Sequence, residues 1–237
     1  ASASMMFGVP VEKHGQNAEL RAKGKIAELG LGYGGGTAAL KAFGADRMGL
    51  TDEAMVDIVD RWRDASPKIV ALWKSLEQAA IRAIVHKGGT ISDIGDVMFS
   101  FENGVLWMSL PSGRRIAYWG AEYAESTDPR RHGKCISSLY QDQQTKKVAR
   151  IETWGGKLVE NYVQGFARDC LRESMLNLDK EGFTIVAHVH DEVIITEPND
   201  SGRTVADVCE IMGREIPWAP GLLLRGDGYE TPYYIKD

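Results

Sequence analysis

The sequence predicts an α+β protein with a helical front portion, residues 1–95, and a sheet-bearing rear portion, residues 96–237. Three observations carry this. Capped segments with helical apolar spacing fill the front; an Asn-Gly pair between two apolar alternations marks a hairpin; and two β-branched runs near the end meet at His190-Asp191-Glu192.

Residues 16–29 read as a helix with Asn17 as N-cap and no interior proline, stopped by the glycine-dense stretch 30–36. A short helix is expected from Thr37 and a third from Thr51-Asp-Glu-Ala. Ser66-Pro67 opens a fourth, with Ser as N-cap and Pro at the first helical position. The spacing of Ile69, Leu72, Trp73, Leu76, Ala80 and Ile84 supports that helix. Residues 97–101 and 105–110 flank Glu-Asn-Gly and predict the hairpin; 120–135 read as a loop. A long helix is expected over 156–180, then strands over 184–190 and 193–196, a helix over 204–212 and a short terminal strand near Tyr233.

The 237-residue chain is 43% hydrophobic and 26% charged, the composition of a folded enzyme, and has no signal-peptide pattern or apolar run of membrane-spanning length. Cys135, Cys170 and Cys209 are too few and too widely spaced for a disulfide framework or zinc knuckle, so a reducing, cytoplasmic setting is expected. The net charge of −5 runs against a nucleic-acid partner, but its distribution does not. Residues 13–47 carry six basic and three acidic side chains, residues 130–157 seven and two, and residues 188–237 four and ten. Basic surfaces and an acidic end suit DNA at one face and metal ions near another; a solvated charge pattern gives the same distribution.

Three constellations carry chemistry. In Arg21-x3-Lys25-x3-Leu29-Gly30-x2-Tyr33-Gly34, steps of four put two cations and an apolar side chain on one helical stripe. A nucleoside triphosphate needs that combination, charge against phosphates and an apolar surface against sugar and base. In Val189-His190-Asp191-Glu192-Val193 a hairpin tip presents adjacent carboxylates, the ligands Mg²⁺ prefers. An acidic turn is the simpler alternative, and zinc at His188, His190 and Glu192 a third. In Val163-Gln164-Gly165-Phe166-Ala167-Arg168-Asp169, a helical glutamine suits the minor-groove acceptors offered by every base pair.

In this order the three constellations resemble the polymerase domain of family A DNA polymerases. ELRAKGKIAELGLGYGGG is similar to the O helix of the fingers, motif B, which implies that Arg21 and Lys25 bind the incoming triphosphate, that Lys25 is also catalytic, and that Tyr33 lies by the nascent base pair. HVHDEV resembles motif C of the palm, implying a metal ligand at Asp191, an acidic catalytic neighbour at Glu192 and a primer contact at His190. VQGFARD resembles the helix that sets Gln164 against the minor groove, LPSGRRIAYW the segment before it, with Arg114 and Arg115 near DNA, and ASASMMFGVPVE the stretch before the O helix. The resemblance implies helical fingers over 1–95 and part of an antiparallel-sheet palm over 96–237. Implied partners are primer-template DNA and dNTPs, with two Mg²⁺ ions and no membrane.

Two departures qualify it. Leu29 stands where many members have Phe or Tyr, which implies weaker dideoxynucleotide acceptance and a phage-like branch. No segment matches motif A, Asp-(Tyr/Phe)-Ser-x-x-Glu, which supplies the other metal-binding aspartate. The chain is therefore expected to be part of a larger or split polymerase, inactive alone, with a second polypeptide or upstream segment carrying motif A. The alternatives are a non-catalytic DNA- or dNTP-binding remnant and, with fewer carboxylates than it needs, a metal-dependent nuclease.

Overall fold

The computed structural model describes residues 3–4, 8–12, 15–129 and 132–235. Residues 1–2 and 5–7 of the 1–12 stretch, Lys13 of the first basic segment, and Arg130 and Arg131 of the second lie outside the described residues. The chain divides into two units, Ala1–Ser109 with Arg115–Tyr162, and Leu110–Arg114 with Val163–Asp237. No helix among the described residues is long and apolar enough to cross a membrane.

The first unit combines helices with an antiparallel sheet. Its helices are α1 (Ala18–Leu31), α2 (Thr37–Ala42), α3 (Asp52–Ala65) and α4 (Pro67–His86). Thr51 caps α3, its hydroxyl accepting from the Ala54 N–H at 3.2 Å, and Pro67 occupies the first turn of α4. Neither Asn17 nor Ser66 makes a side-chain cap bond. Asn17 instead has φ +58, and its amide donates to the Pro10 carbonyl at 2.9 Å, so it braces the preceding loop where a cap was expected. Along α4, Trp73, Leu76, Ala80 and Ile84 are buried as their spacing requires, whereas Ile69 and Leu72 pack at the edge of the core.

Strands β1 (Gly89–Ile91), β2 (Met98–Glu102), β3 (Val105–Ser109), β4 (Arg115–Glu125), β5 (Lys134–Gln141) and β6 (Val148–Thr153) form one antiparallel sheet in chain order. Asn103 (φ +52) and Gly104 (φ +78) turn the β2–β3 hairpin with both residues left-handed, the arrangement that matches strand twist. α4 lies against β1 to β4, and Trp62, Leu31, Leu40, Met55, Leu76, Phe99, Leu106, Met108, Ile136 and Leu158 are fully enclosed in the shared core. Burying each such side chain stabilises the unit by about 1.5–3 kcal/mol.

The loop expected over 120–135 is shorter than that: 120–125 and 134–135 are strand, and the described residues between them adopt none. β4 runs to Glu125 and β5 begins at Lys134, with a bulge between Trp119 and Glu122. Alternation fails to announce these strands because the bulge breaks the period, Ser137 and Ser138 occupy buried positions, and β6 is almost wholly exposed. Arg150 secures the bulge, its Nη1 donating to the Gly120 carbonyl at 2.9 Å and Ser137 Oγ at 3.1 Å, and its Nη2 to Glu122 Oε1 at 3.1 Å.

Helix α5 (Gly155–Lys180) begins in the first unit and supplies the second with residues 163–180. There β7 (Thr184–Val189) pairs with β8 (Glu192–Thr196), and α6 (Val205–Met212) follows, opened by a reciprocal Thr204/Asp207 capping box. Leu178, Phe183 and Ile211 form the core under this hairpin, with Ile185, Val193 and Ile195 packed on it. Cys170, Ile216 and Ala219 form a second cluster with Phe166 and Trp218. The terminal strand expected near Tyr233 does not form; residues after α6 that are described adopt no strand, and Tyr233 and Tyr234 are exposed. Cys135, Cys170 and Cys209 are thiols rather than halves of a disulfide.

Candidate functional site

The first candidate element is α1, whose two faces are sharply divided. Gly24, Ala27 and Leu31 are buried, while Arg21, Lys25 and Leu29 all face solvent, Leu29 with 49% of its surface exposed. Neither cation bonds to any described residue, so both are available to an anion. Two stacked indoles, Trp62 and Trp73 with centroids 5.9 Å apart, hold the helix from below. Trp62 Nε1 donates to Glu28 Oε2 at 3.0 Å and Trp73 Nε1 to the Gly32 carbonyl at 3.1 Å. Tyr33 is partly buried against the core, and its carbonyl accepts from Trp154 Nε1 at 3.2 Å.

The second element, in the other unit, is the tip of the β7–β8 hairpin. Val189 pairs with Glu192, leaving His190 and Asp191 as a two-residue turn, with His190 at φ +53. His190 and Asp191 are exposed and Glu192 half-buried. The side chains of Asp191 and Glu192 form no hydrogen bond or ion pair with any described residue. Apolar packing of Ile185, Val193 and Ile195 fixes the strands below, so the turn is a short platform that carries two consecutive carboxylates, Asp191 open to solvent and Glu192 partly so. Oxygen donors of this kind fit Mg²⁺, which takes one or two protein carboxylates and fills its shell with water and substrate phosphates. Among the described residues no group of three or more His, Cys, Asp or Glu side chains is placed to hold a metal, so His188, His190 and Glu192 do not assemble a zinc site.

Around Gln164, exposed on α5, a polar cluster gathers within the same unit. Arg114 Nε donates to Asp169 Oδ1 at 2.7 Å, and its Nη2 to the Gly165 carbonyl at 2.8 Å. Ser112 Oγ donates to Asp169 Oδ2 at 2.5 Å. Arg115 behaves differently: on β4 its guanidinium lies 4.4 Å from the Trp107 ring centroid and pairs with Glu102 at 3.5 Å. Sequence reasoning singled out Arg114 and Gln164 but not Asp169 or Ser112. Their signal was present, a serine two residues before Arg114 and an aspartate five after Gln164, yet only the fold brings these segments together.

No family model matches the chain, and no solved structure matches it. Among curated proteins, the DNA polymerase of Bacillus phage SP02 is 44% identical over 238 residues, an alignment that covers 100% of this chain. The chain spans about a third of that polymerase, 36% of its length. Over its whole length, then, this chain is similar to part of a phage DNA polymerase.

Proposed function

We propose that this chain is the fingers-and-palm portion of a family A DNA polymerase, with fingers over 1–95 and palm over 96–237, and that it serves template-directed DNA synthesis within a larger or split enzyme. The observation that carries the reading is the tight hairpin tip, where the consecutive carboxylates Asp191 and Glu192 bond to no described residue. The exposed Arg21/Lys25/Leu29 stripe supports it, as does the likeness to the phage polymerase.

In this reading Arg21 and Lys25 bind the triphosphate and neutralise its charge as the primer 3′ hydroxyl attacks the α-phosphorus and pyrophosphate leaves. Leu29 and Tyr33 flank the sugar and the nascent pair. Asp191 is one metal-holding carboxylate, the other coming from the motif A aspartate of another segment; Glu192 sets the local field at the primer end and His190 contacts the primer strand. Mg²⁺, when bound, stabilises charge on the attacking and leaving oxygens. Gln164 lies against the duplex minor groove, and Arg114 and Arg115 lie near DNA.

Primer extension tests the proposal. The chain alone is expected to synthesise little or nothing, and to extend a primer once a segment carrying Asp-(Tyr/Phe)-Ser-x-x-Glu is supplied. Robust Mg²⁺-dependent synthesis by the chain alone would contradict the dependence on motif A. DNA and dNTP binding without turnover in the supplemented mixture would favour a non-catalytic remnant.

A further inference from the structure

Asp169 is a carboxylate only 2% exposed, with both oxygens engaged. Ser112 completes a closed ring, donating to Asp169 Oδ2 while its own oxygen accepts from the Arg114 backbone N–H at 3.3 Å. The Arg114 side chain, 45% exposed, is thereby fixed at two points, Asp169 and the Gly165 carbonyl. Of the five N–H groups of a guanidinium, these contacts use two, leaving three that meet no described residue. A cation placed this way differs from a free surface arginine: its orientation is set and its charge is already compensated.

We propose that Asp169 is a positioning residue: with Ser112 it locks the Arg114 guanidinium against α5 beside Gly165, the neighbour of Gln164, as a fixed, charge-compensated donor to duplex DNA. The inference rests on the reading that Arg114 and Gln164 face the duplex. A compensated guanidinium releases few counterions, so it adds little to the salt dependence of binding; what it adds is preference for a correctly shaped duplex over a single strand.

The test is fluorescence anisotropy with a primer-template duplex and a single strand of equal length, over a series of salt concentrations. Asp169→Asn frees the cation, and is expected to lower the duplex preference several-fold while steepening the slope of log affinity against log salt by up to about one unit. Arg114→Lys keeps a charge beside Asp169, and so threatens folding less, but a lysine lacks the planar fork needed to engage Asp169 and Gly165 together. It is expected to lower the duplex preference with an unchanged slope. Thermal unfolding establishes which variants are folded, and Arg114→Lys decides alone if Asp169→Asn is not. If wild type prefers duplex and the folded variants keep its preference and slope, Asp169 is only a structural brace: the inference fails and the proposed function stands. If wild type shows no duplex preference, the reading of Arg114 and Gln164 fails and takes the inference with it.

Discussion

The indole N–H of Trp154 donates to the backbone carbonyl of Tyr33 at 3.2 Å, tying the start of α5 to the glycine-rich exit of α1. Gly156 makes the approach possible, since a Cβ there would sit 1.9 Å from the Tyr33 oxygen, with backbone on the opposing side. Gly156→Ala must therefore displace one segment from the other. The expected cost is about 3 kcal/mol, read as a lower urea midpoint with an unchanged slope.

Arg21→Ala and Lys25→Ala should each weaken binding of a dNTP to the chain by roughly ten- to a hundredfold, the loss of one hydrogen bond to a charged group. Both side chains are exposed and bonded to no described residue, so stability should be nearly unchanged. Calorimetric titration, with unfolding curves as control, checks both halves; unchanged affinity in both variants counts against a triphosphate site on α1.

Leu29 is half exposed on the same stripe and has no ring to stack. Leu29→Tyr in a motif A-supplemented enzyme should raise incorporation of dideoxynucleotides relative to deoxynucleotides. Competitive single-nucleotide incorporation measures the ratio, and an unchanged ratio removes Leu29 from the discrimination.

Tyr118 supplies a pH dependence. Burial pushes its phenol up to about 12, against the Asn161 amide, which donates to its oxygen at 2.9 Å and favours the ionised form. In the unfolded chain the group titrates near 10. Between about pH 10 and 12 the unfolded state loses this proton while the folded state keeps it, so the stability is fully present below pH 10 and falls as pH rises, by about 2–3 kcal/mol in all. Tyr118→Phe should remove that decline, measured as the difference between the two proteins' denaturation curves across this range.

Much of this architecture is legible in the sequence where one physical rule dominates. The α4 stripe, the Asn103-Gly104 turn and the Val189–Glu192 hairpin each follow from local pattern, because spacing, turn chemistry and burial agree. β4 to β6 are not legible, since a bulge, two buried serines and an exposed edge conceal their period. Asn17 stands at the N-cap position as expected but makes no cap bond, for a related reason: its amide finds Pro10, a partner that local propensity cannot anticipate. At the candidate site, the exposure of Arg21, Lys25 and Asp191 follows from helix and hairpin geometry. The grip of Asp169 on Arg114 depends on two segments more than 50 positions apart and emerges only from the fold.

The most direct test of the polymerase reading is Mg²⁺-dependent primer extension by the Asp191→Asn variant beside wild type, each supplied with the motif A segment. Asp191 is exposed and bonded to no described residue, so the variant should fold and bind primer-template as wild type does. Its extension rate is expected to fall roughly a thousandfold or more, as the loss of a group that stabilises developing charge requires. A variant that extends primers within a few-fold of wild type would contradict the assignment of Asp191, and with it the account of this hairpin as a catalytic centre.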